Sequence, residues 1–575
     1  MGKKIGMIPA AGRGSRMLSL TDNHPKPMLP FNNKPIIGHL LEWFIKEEFD
    51  EVIIIVEYKY DKIIDYVTKV FLKEDNIKIR FVRQGGLLGL GHAIHKGLDA
   101  ILDDDASLLI VLGDIILYDS LTFDYSEDFI VYNEVDDYER WCMIQLNDKN
   151  EIVDFYDKPK EQPPTNKNVI GIYNFSVVKQ LKNIFGFYDV EHFIDNNEEL
   201  EFSIFLSEYV YYNTVKGIYN NDYLDFGVLS DLNKSKLQVV REFNKIELID
   251  NDINELKVRK SSIKNPKKIS NEFLWYQRIP SQMHKYTPIT YDFNNKIECN
   301  EGANYVMGYI DSTPLQELFM YNLPDFYSWN LIFDNIHKYF LDTRNIKNKE
   351  QFYKENKNKL IQANIKMLRE KTKQRVGQII DMFPHKEYVI NGQFYDNPIY
   401  HLDKILKRVD EISSDVNIDN LVILHGDLFF GNMMYDIEGE SLKIIDPRGE
   451  YGEFSIHGDM RYDLAKLYHS VIGNYDFIVN GLYELRDYDS TLNYSIFNGN
   501  DNSKIIDLMF DLIKDLNNNI DDIEFITGLL FLTMIPLHSE NKNNQKMQFI
   551  KACEILKNTI KWGWLKWVKI LHMVN

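Results

Sequence analysis

Across residues 1–240, short β-branched runs alternate with amphipathic stretches. Residues 4–9, 51–57, 77–83 and 108–112 read as strands, while residues 36–47 and 59–71 carry apolar positions at helical spacing. A strand followed by a crossover helix and a further strand predicts a layered α/β domain with a mixed, mostly parallel Rossmann-like sheet. Residues 158–167, rich in Pro and Lys, read as an exposed loop.

The pattern changes near Glu242, where strand-like runs lead to residues 256–260 and then to a helix around 269–278. From Leu315 onward helical periodicity dominates, broken by a strand-loop-strand block at 421–445. These changes predict a first domain at 1–240 and a second, α+β domain at 241–575, divided into a smaller lobe at 241–313 and a larger one at 314–575. The strongly apolar stretch 525–537 contains Gly528 and Pro536 and is too short to cross a bilayer, so it reads as a buried helix and no membrane span is expected. Asn-rich pieces at 498–502 and 517–519 read as loops, and no internal repeat is present.

A length of 575 residues exceeds what one hydrophobic core accommodates, in keeping with two domains. The formal charge of -20, from 66 Lys and Arg against 86 Asp and Glu, opposes binding to a nucleic-acid backbone. Anionic small molecules stay compatible with it, because a few local cations and backbone N–H groups hold a phosphate inside an acidic protein. Cys142, Cys299 and Cys553 are widely separated and odd in number, with no CxxC pair and no signal-peptide pattern before the first strand. A reducing, cytoplasmic setting is the expectation.

The run Ile8-Pro9-Ala10-Ala11-Gly12-Arg13-Gly14-Ser15-Arg16-Met17 follows a strand directly. Its glycines let backbone N–H groups at Ala10, Gly12 and Gly14 come close to a triphosphate, with Arg16 placed to cap that charge. Lys26, in Lys26-Pro27-Met28-Leu29-Pro30, stands beside a rigid turn where it can neutralise charge growing on a phosphate under attack. Gln84 offers an amide to a base edge, and the glycines up to Gly91 permit close approach of a nucleotide. Asp114 ends the strand at 108–112, at the sheet edge where open α/β folds bind ligands, and Asp225 lies in a tight aromatic turn. Two such carboxylates can share one Mg²⁺ that also grips phosphates, and Lys158 offers a cation to the phosphate of a second substrate.

In order and rough spacing, GxGxRM, KPM, QGG with GLGHA, GD, DKP and the late aromatic-Asp-x-Gly resemble the nucleotide-diphosphate-sugar pyrophosphorylase and phosphocholine cytidylyltransferase superfamily. The resemblance implies the nucleotidyltransferase fold and attack by an acceptor phosphate oxygen on the α-phosphorus of an NTP, expelling pyrophosphate. Carried over, Gly12, Gly14 and Arg16 bind the triphosphate, Gln84 and Gly91 face the base, Lys26 assists transfer and Lys158 holds the acceptor phosphate. Asp114 and Asp225 hold Mg²⁺.

In the second domain, His425-Gly426-Asp427-Leu428-Phe429-Phe430-Gly431-Asn432 follows an apolar strand, and a second strand leads into Asp446. Phosphoryl transfer to an alcohol needs a carboxylate beside the hydroxyl and metal ligands on the triphosphate, which Asp427 and the pair Asn432 and Asp446 fit. Lys260, with Arg259 as its rival, is placed to hold the α- and β-phosphates, and Glu272 on the next helix to orient it. Met307-Gly308-Tyr309-Ile310-Asp311 is similar to a hinge whose backbone meets adenine.

These features resemble the aminoglycoside phosphotransferase and choline kinase family over residues 243–575, which implies a two-lobed protein-kinase-like fold. Asp427 is then the catalytic base and Asn432 and Asp446 are Mg²⁺ ligands. Asp446-Pro447-Arg448-Gly449 departs from the family's usual metal motif, so Arg448 becomes a candidate for phosphate or substrate contact. Asp463 reads as a brace for the catalytic loop. Tyr451, Phe454, Tyr462 and Tyr468 offer either a cage for a trimethylammonium group or core packing, and core packing is the expectation.

Together the two halves imply a sequential enzyme in which a kinase phosphorylates an alcohol with ATP and a transferase joins that phosphate to a nucleotide. The pairing resembles choline activation for bacterial surface decoration, which favours CTP and a CDP-linked product. The GLGHA stretch is nearer the sugar transferases, leaving UTP with a sugar 1-phosphate, or CTP with a polyol phosphate, as alternatives. A regulatory, non-catalytic kinase-like scaffold is a further alternative.

Overall fold

In the computed structural model the chain separates into two units, Met1–Leu237 and Gln238–Asn575. The structure describes residues 2–14, 21, 25–31, 34–71, 77–117, 123–188, 190, 199–227, 245–249, 257–296, 302–310, 312–321, 326–437, 439–496, 502–539 and 541–573.

The N-terminal unit is built on a nine-stranded sheet. Its elements in chain order begin β1 (Lys4–Ala10), α1 (Ile36–Lys46), β2 (Glu51–Val56), α2 (Tyr60–Val70), β3 (Lys78–Arg83), α3 (Gly89–Asp99) and β4 (Ser107–Val111). They continue with β5 (Ile115–Leu117), β6 (Phe129–Glu134), β7 (Cys142–Leu146), β8 (Ile152–Asp157) and β9 (Lys167–Phe175). Last come α4 (Val178–Phe185), α5 (Phe202–Tyr212), β10 (Lys216–Tyr219) and β11 (Tyr223–Asp225). The main path across the sheet runs β8-β7-β9-β4-β1-β2-β3, with β6 between β9 and β10 off that path.

The expected strands and crossover helices occur within a residue or two of their predicted limits, but the sheet is not mostly parallel. Pairings β4–β1, β1–β2, β2–β3 and β6–β10 are parallel, whereas β8–β7, β7–β9, β9–β4 and β9–β6 are antiparallel. The reason lies in the connections. Crossover helices join β1 to β2, β2 to β3 and β3 to β4, whereas a short turn returns β7 directly to β8 and β9 enters between β4 and β7 in the opposite sense.

Every residue of β2 is buried, so its apolar run is continuous rather than alternating, as a strand covered on both faces requires. Close packing reveals the cover. A Cβ on Gly6 would lie 2.5 Å from Phe44 of α1, and one on Gly97 of α3 would lie 2.6 Å from Met7. Gly6 and Met7 are neighbours in β1 and face opposite ways, so α1 and α3 occupy opposite faces of the sheet. Glu51, at the buried start of β2, is paired with Lys3 at 2.6 Å and with Arg80.

The C-terminal unit opens with the antiparallel strands β12 (Lys245–Ile249), β13 (Lys257–Ser262), β14 (Thr290–Lys296) and β15 (Gly302–Gly308), in the order β12-β13-β15-β14. Helix α6 (Pro266–Arg278) connects β13 to β14; Asn265 caps it by accepting from Lys268 N, and Pro266 sits in the first turn. Helices then dominate, with the hairpin Met433–Asp436 and Ser441–Ile444 and the pair Leu421–Ile423 and His457–Asp459 set among them. Of the apolar stretch expected as a buried helix, residues 525–534 lie in helix Ile520–Met534, and residues 535–537 lie in the 3₁₀ turn that Pro536 enters, with Leu537 exposed. Among the described residues no helix is long and apolar enough to cross a membrane.

Candidate active sites

In the N-terminal unit, β1 and β4 end at the same edge of the sheet, and the loops that follow them build a cavity of about 510 Å³. Gly113 carries the chain past β1 so closely that a Cβ would lie 2.9 Å from Pro9 O. That approach delivers Asp114 to the cavity. Lys26 Nζ lies 2.6 Å from Asp114 Oδ2 and also donates to Gly227 O at 3.2 Å. Strands β5 and β11 pair with Asp225 opposite Ile115, and Phe226 N donates to Asp114 O at 3.0 Å. The residues carrying the two carboxylates are thereby held side by side, and Gly227 N donates to Asp225 Oδ1 at 2.7 Å.

Gly12, Gly14, Lys26, Asp114, Lys158 and Asp225 all line this cavity. Gly14 has φ 69°, and a Cβ there would stand 2.8 Å from Lys26 Cβ, so the glycine permits both the turn and the approach of the lysine. Lys158 is paired with Glu201 at 2.6 Å. Two carboxylates and an adjoining cavity fit a hard divalent ion that takes its other ligands from phosphate and water, and no cluster of three or more ligating side chains occurs among the described residues.

Three further expected residues make contacts within the fold. Ala10 is buried at the end of β1, opposite Val56. Gln84 is buried and donates its amide to Gly89 O at 2.9 Å, bracing the turn into α3. Gly91 N is committed to Leu200 O at 2.7 Å, and a Cβ there would strike that same oxygen. Neither Gln84 nor Gly91 is a cavity residue, because both are used to dock α3. Arg16 lies outside the described residues. The cavity also takes in Arg140, Trp141 and Glu201, which no motif announced; they come from the entry of β7 and from the residue just before α5.

In the C-terminal unit, Lys260 rather than Arg259 makes the buried contact: its Nζ lies 2.7 Å from Glu272 Oε2 and 2.6 Å from Asp446 Oδ1. Strand alternation explains the choice, since Lys260 points inward at 1% exposure while Arg259 is exposed. Met307 is an inner ladder residue matched to Val258 and Thr290, and the chain leaves the sheet after Gly308. Asp311 is outside the described residues.

Asn432 Nδ2 donates to Asp427 O at 2.9 Å, and Asn432 O accepts from Ile445 N at 3.0 Å, which brings Asp427, Asn432 and Asp446 into one group. Asn432 Oδ1 and the Asp446 carboxylate are oxygen donors suited to a divalent ion. Asp446 adopts φ 60°, a costly backbone for a residue with a Cβ, and its N–H donates to the Tyr276 hydroxyl at 3.2 Å. Burial alone would raise the Asp427 carboxyl, but Lys466 at 2.9 Å and the nearby Arg448 outweigh it and hold it well below the usual range.

Asp463 accepts from His425 N and Gly426 N, each at 2.8 Å, and so fixes the loop carrying Asp427. Burial raises its carboxyl to about 7. His425 Nε2 meets Ile445 O at 2.9 Å, tying the same loop to the strand end before Asp446. The four aromatics are core residues: Tyr451, Phe454, Tyr462 and Tyr468 are each 5% exposed or less, and the Tyr451 and Tyr468 hydroxyls donate to Asn364 and Glu524.

The nucleotidyl transferase family model matches residues 5–235. The bifunctional protein GlmU of Methanocaldococcus jannaschii is 34% identical over 223 residues, covering 38% of this chain and 49% of the relative. The D-glycero-alpha-D-manno-heptose 1-phosphate guanylyltransferase of Campylobacter jejuni is 26% identical over 231 residues, covering 39% of this chain and 95% of that protein. A crystal structure of UDP-glucose pyrophosphorylase complexed with UDP-glucose shares 22% identity over 41% of this chain and 97% of that one, with a TM-score of 0.35. The chain spans about half the length of the GlmU relatives it matches. With the family match enclosing the cavity that holds Lys26, Asp114 and Asp225, residues 5–235 are a nucleotidyltransferase domain.

Proposed function

We propose that the chain is a two-site enzyme: the N-terminal unit couples a sugar phosphate or alcohol phosphate to a nucleoside monophosphate, and the C-terminal unit makes that phosphate ester from ATP. The observation that carries the reading is the meeting of Lys26, Asp114 and Asp225 with Gly12, Gly14 and Lys158 at one cavity.

In the first reaction an oxygen of the acceptor phosphate attacks the α-phosphorus of the NTP, the bond to the bridging oxygen breaks, and pyrophosphate leaves. Negative charge builds at the α-phosphate, where Lys26 is placed to stabilise it. Gly12 and Gly14 cradle the triphosphate with backbone, and Lys158 turns from Glu201 to the acceptor phosphate. A divalent ion held by Asp114 and Asp225 would neutralise charge on the polyphosphate. A relative named for heptose 1-phosphate supports a sugar 1-phosphate as acceptor; CTP with an alcohol phosphate is the competing pair.

In the second reaction an alcohol oxygen attacks the γ-phosphorus of ATP, ADP departs, and the hydroxyl proton passes to Asp427. So acidic a carboxyl is a weak base, so it orients the hydroxyl first and accepts the proton late. Lys260, oriented by Glu272, holds the α- and β-phosphates. Asn432 and Asp446 would hold the ion.

Purified protein given ATP, each of the four NTPs and a pool of sugars, polyols, choline and ethanolamine should release ADP and pyrophosphate, with products named by mass spectrometry. Asp427→Asn should stop ADP formation while leaving pyrophosphate release from a supplied phosphate ester. ATP use that survives this change overturns the kinase assignment, and pyrophosphate release that survives Lys26→Met overturns the transferase site.

A further inference from the structure

Beside Asp427 the C-terminal unit holds a cavity of about 210 Å³ whose charged lining, among the described residues, is four cations, Lys371, Arg375, Arg448 and Lys466, against the single carboxylate of Asp427. In a chain with 66 Lys and Arg against 86 Asp and Glu, this is a local reversal of charge. Lys260, Asn432 and Asp446 do not line the cavity, so Asp427 is the residue shared between it and the polyphosphate group.

Lys466 is neutralised by Asp427 at 2.9 Å. The other three cations bond to uncharged acceptors. Lys371 Nζ lies 3.0 Å from Met367 Sδ, Arg375 Nη1 donates to Thr533 O at 3.0 Å, and Arg448 Nε donates to Gly426 O at 3.0 Å. Burial, with Arg448 and Arg375 nearby, pushes the Lys371 ammonium down to about 7. Lys371, Arg375 and Arg448 are half-buried, and although Asp427 and Asp463 act on Arg448 and Glu450 acts on Lys371 from a distance, none of the three has a carboxylate in ion-pair contact among the described residues, so a ligand that brings negative charge would offset their mutual repulsion. Lys371 also follows a π-helical turn, Ile365–Glu370, an irregularity that re-aims side chains and is frequent at functional sites.

Resting on the phosphoryl-transfer reading above, we infer that the acceptor alcohol carries an oxyanion, a carboxylate or a phosphate, seated on Lys371, Arg375 and Arg448 while its hydroxyl faces Asp427. A trimethylammonium alcohol would meet three cations there, and of the four aromatics only Tyr462 reaches the cavity. Its ring already lies beneath the Arg448 guanidinium, 5.7 Å from ring centre to Cζ.

The full chain is incubated with ATP and Mg²⁺ and one of four acceptor sets: hydroxy acids (D-glycerate, glucuronate), a phosphorylated sugar (glucose 6-phosphate), neutral alcohols (glycerol, glucose) and cationic alcohols (choline, glucosamine). ADP release and calorimetric binding are both read. Binding and phosphorylation confined to the hydroxy-acid or phosphorylated-sugar set is the expected result, and which of the two responds identifies the oxyanion. Lys371→Met and, separately, Arg375→Met should raise the acceptor KM at least ten-fold and raise it more than the KM for ATP. Phosphorylation of choline, glucosamine or a neutral alcohol with a KM indifferent to both variants overturns the inference and leaves the kinase reading standing. Asp427-dependent ATP hydrolysis without binding of any anionic acceptor does the same. Absence of Asp427-dependent ATP use in every set overturns the kinase reading, and the inference falls with it.

Discussion

Lys26 Nζ stands 2.6 Å from Asp114 Oδ2, although 88 positions separate the two residues along the chain. The ammonium is therefore pre-oriented over the carboxylate that is placed to hold the ion. Lys26→Met should lower pyrophosphate release by about 10²–10³-fold, the usual cost of losing one transition-state charge donor, and Lys26→Arg should restore part of it. A continuous pyrophosphate assay with saturating NTP decides the matter, and an unchanged kcat would remove Lys26 from the reaction.

Asp225 is held opposite Ile115 by the ladder between β11 and β5, next to Asp114. Asp225→Asn keeps the shape and removes one charge, so the Mg²⁺ concentration for half-maximal pyrophosphate release should rise at least ten-fold. Chelation with EDTA should stop release in both proteins. A Mg²⁺ titration that overlays the parent curve would place the ion elsewhere.

Asp463 is one of the groups that make the stability of the C-terminal unit depend on pH. Its folded carboxyl is raised from 3.8 to about 7 by burial, against the backbone bonds from His425 and Gly426, which lower it. A raised folded value means that the group's stabilising contribution is present below the unfolded value and is lost as pH climbs through 7. Asp463→Asn, which stays neutral, should flatten the fall in thermal stability between pH 5 and 8 by on the order of 1–3 kcal/mol. Calorimetric melts across that range test it; parallel pH profiles for the two proteins would contradict it.

Lys371 has the opposite sign of shift. Its folded value, lowered from 10.5 to about 7, makes the charged form unfavourable in the fold, so a destabilising contribution grows as pH falls from 10.5 towards 7 and then stays constant. Lys371→Met should accordingly raise the melting temperature at pH 6, with a gain on the order of 1 kcal/mol, and should change it little above pH 10.5. The same variant should bind an anionic acceptor more weakly, a trade of stability against function. A lower melting temperature at pH 6 would show that the ammonium is satisfied within the fold.

Much of the architecture was legible because it depends on local pattern. The apolar runs that became β1 to β4 and the amphipathic α1 and α2 are short-range signals, whereas α6, expected around 269–278, begins three residues earlier, at Pro266 after the Asn265 cap. The antiparallel half of the sheet was not legible, since strands such as β7 and β8 lack a crossover helix whose length announces the neighbour. The contacts of Gln84 and Gly91 were not legible for a related reason: a glycine-rich loop suits close approach of a nucleotide and close approach of Leu200 equally well, and only packing shows that Gly91 N donates to Leu200 O.

The sequence alone singled out the residues whose side chains suit the proposed chemistry: Lys26, Asp114 and Asp225 in one half, and Lys260 or Arg259 with Asp427, Asn432 and Asp446 in the other. It also determined the strand ends on which several of them ride, because hydrophobic period and turn residues are local quantities. Only the tertiary structure decided what each meets: that Lys260 and not Arg259 faces Glu272, that Arg140 and Glu201 line one cavity, and that three cations outside any close ion pair line another. Those meetings depend on the relative placement of elements far apart in the chain, and a side chain's neighbours across a cavity leave no periodic trace in its own sequence.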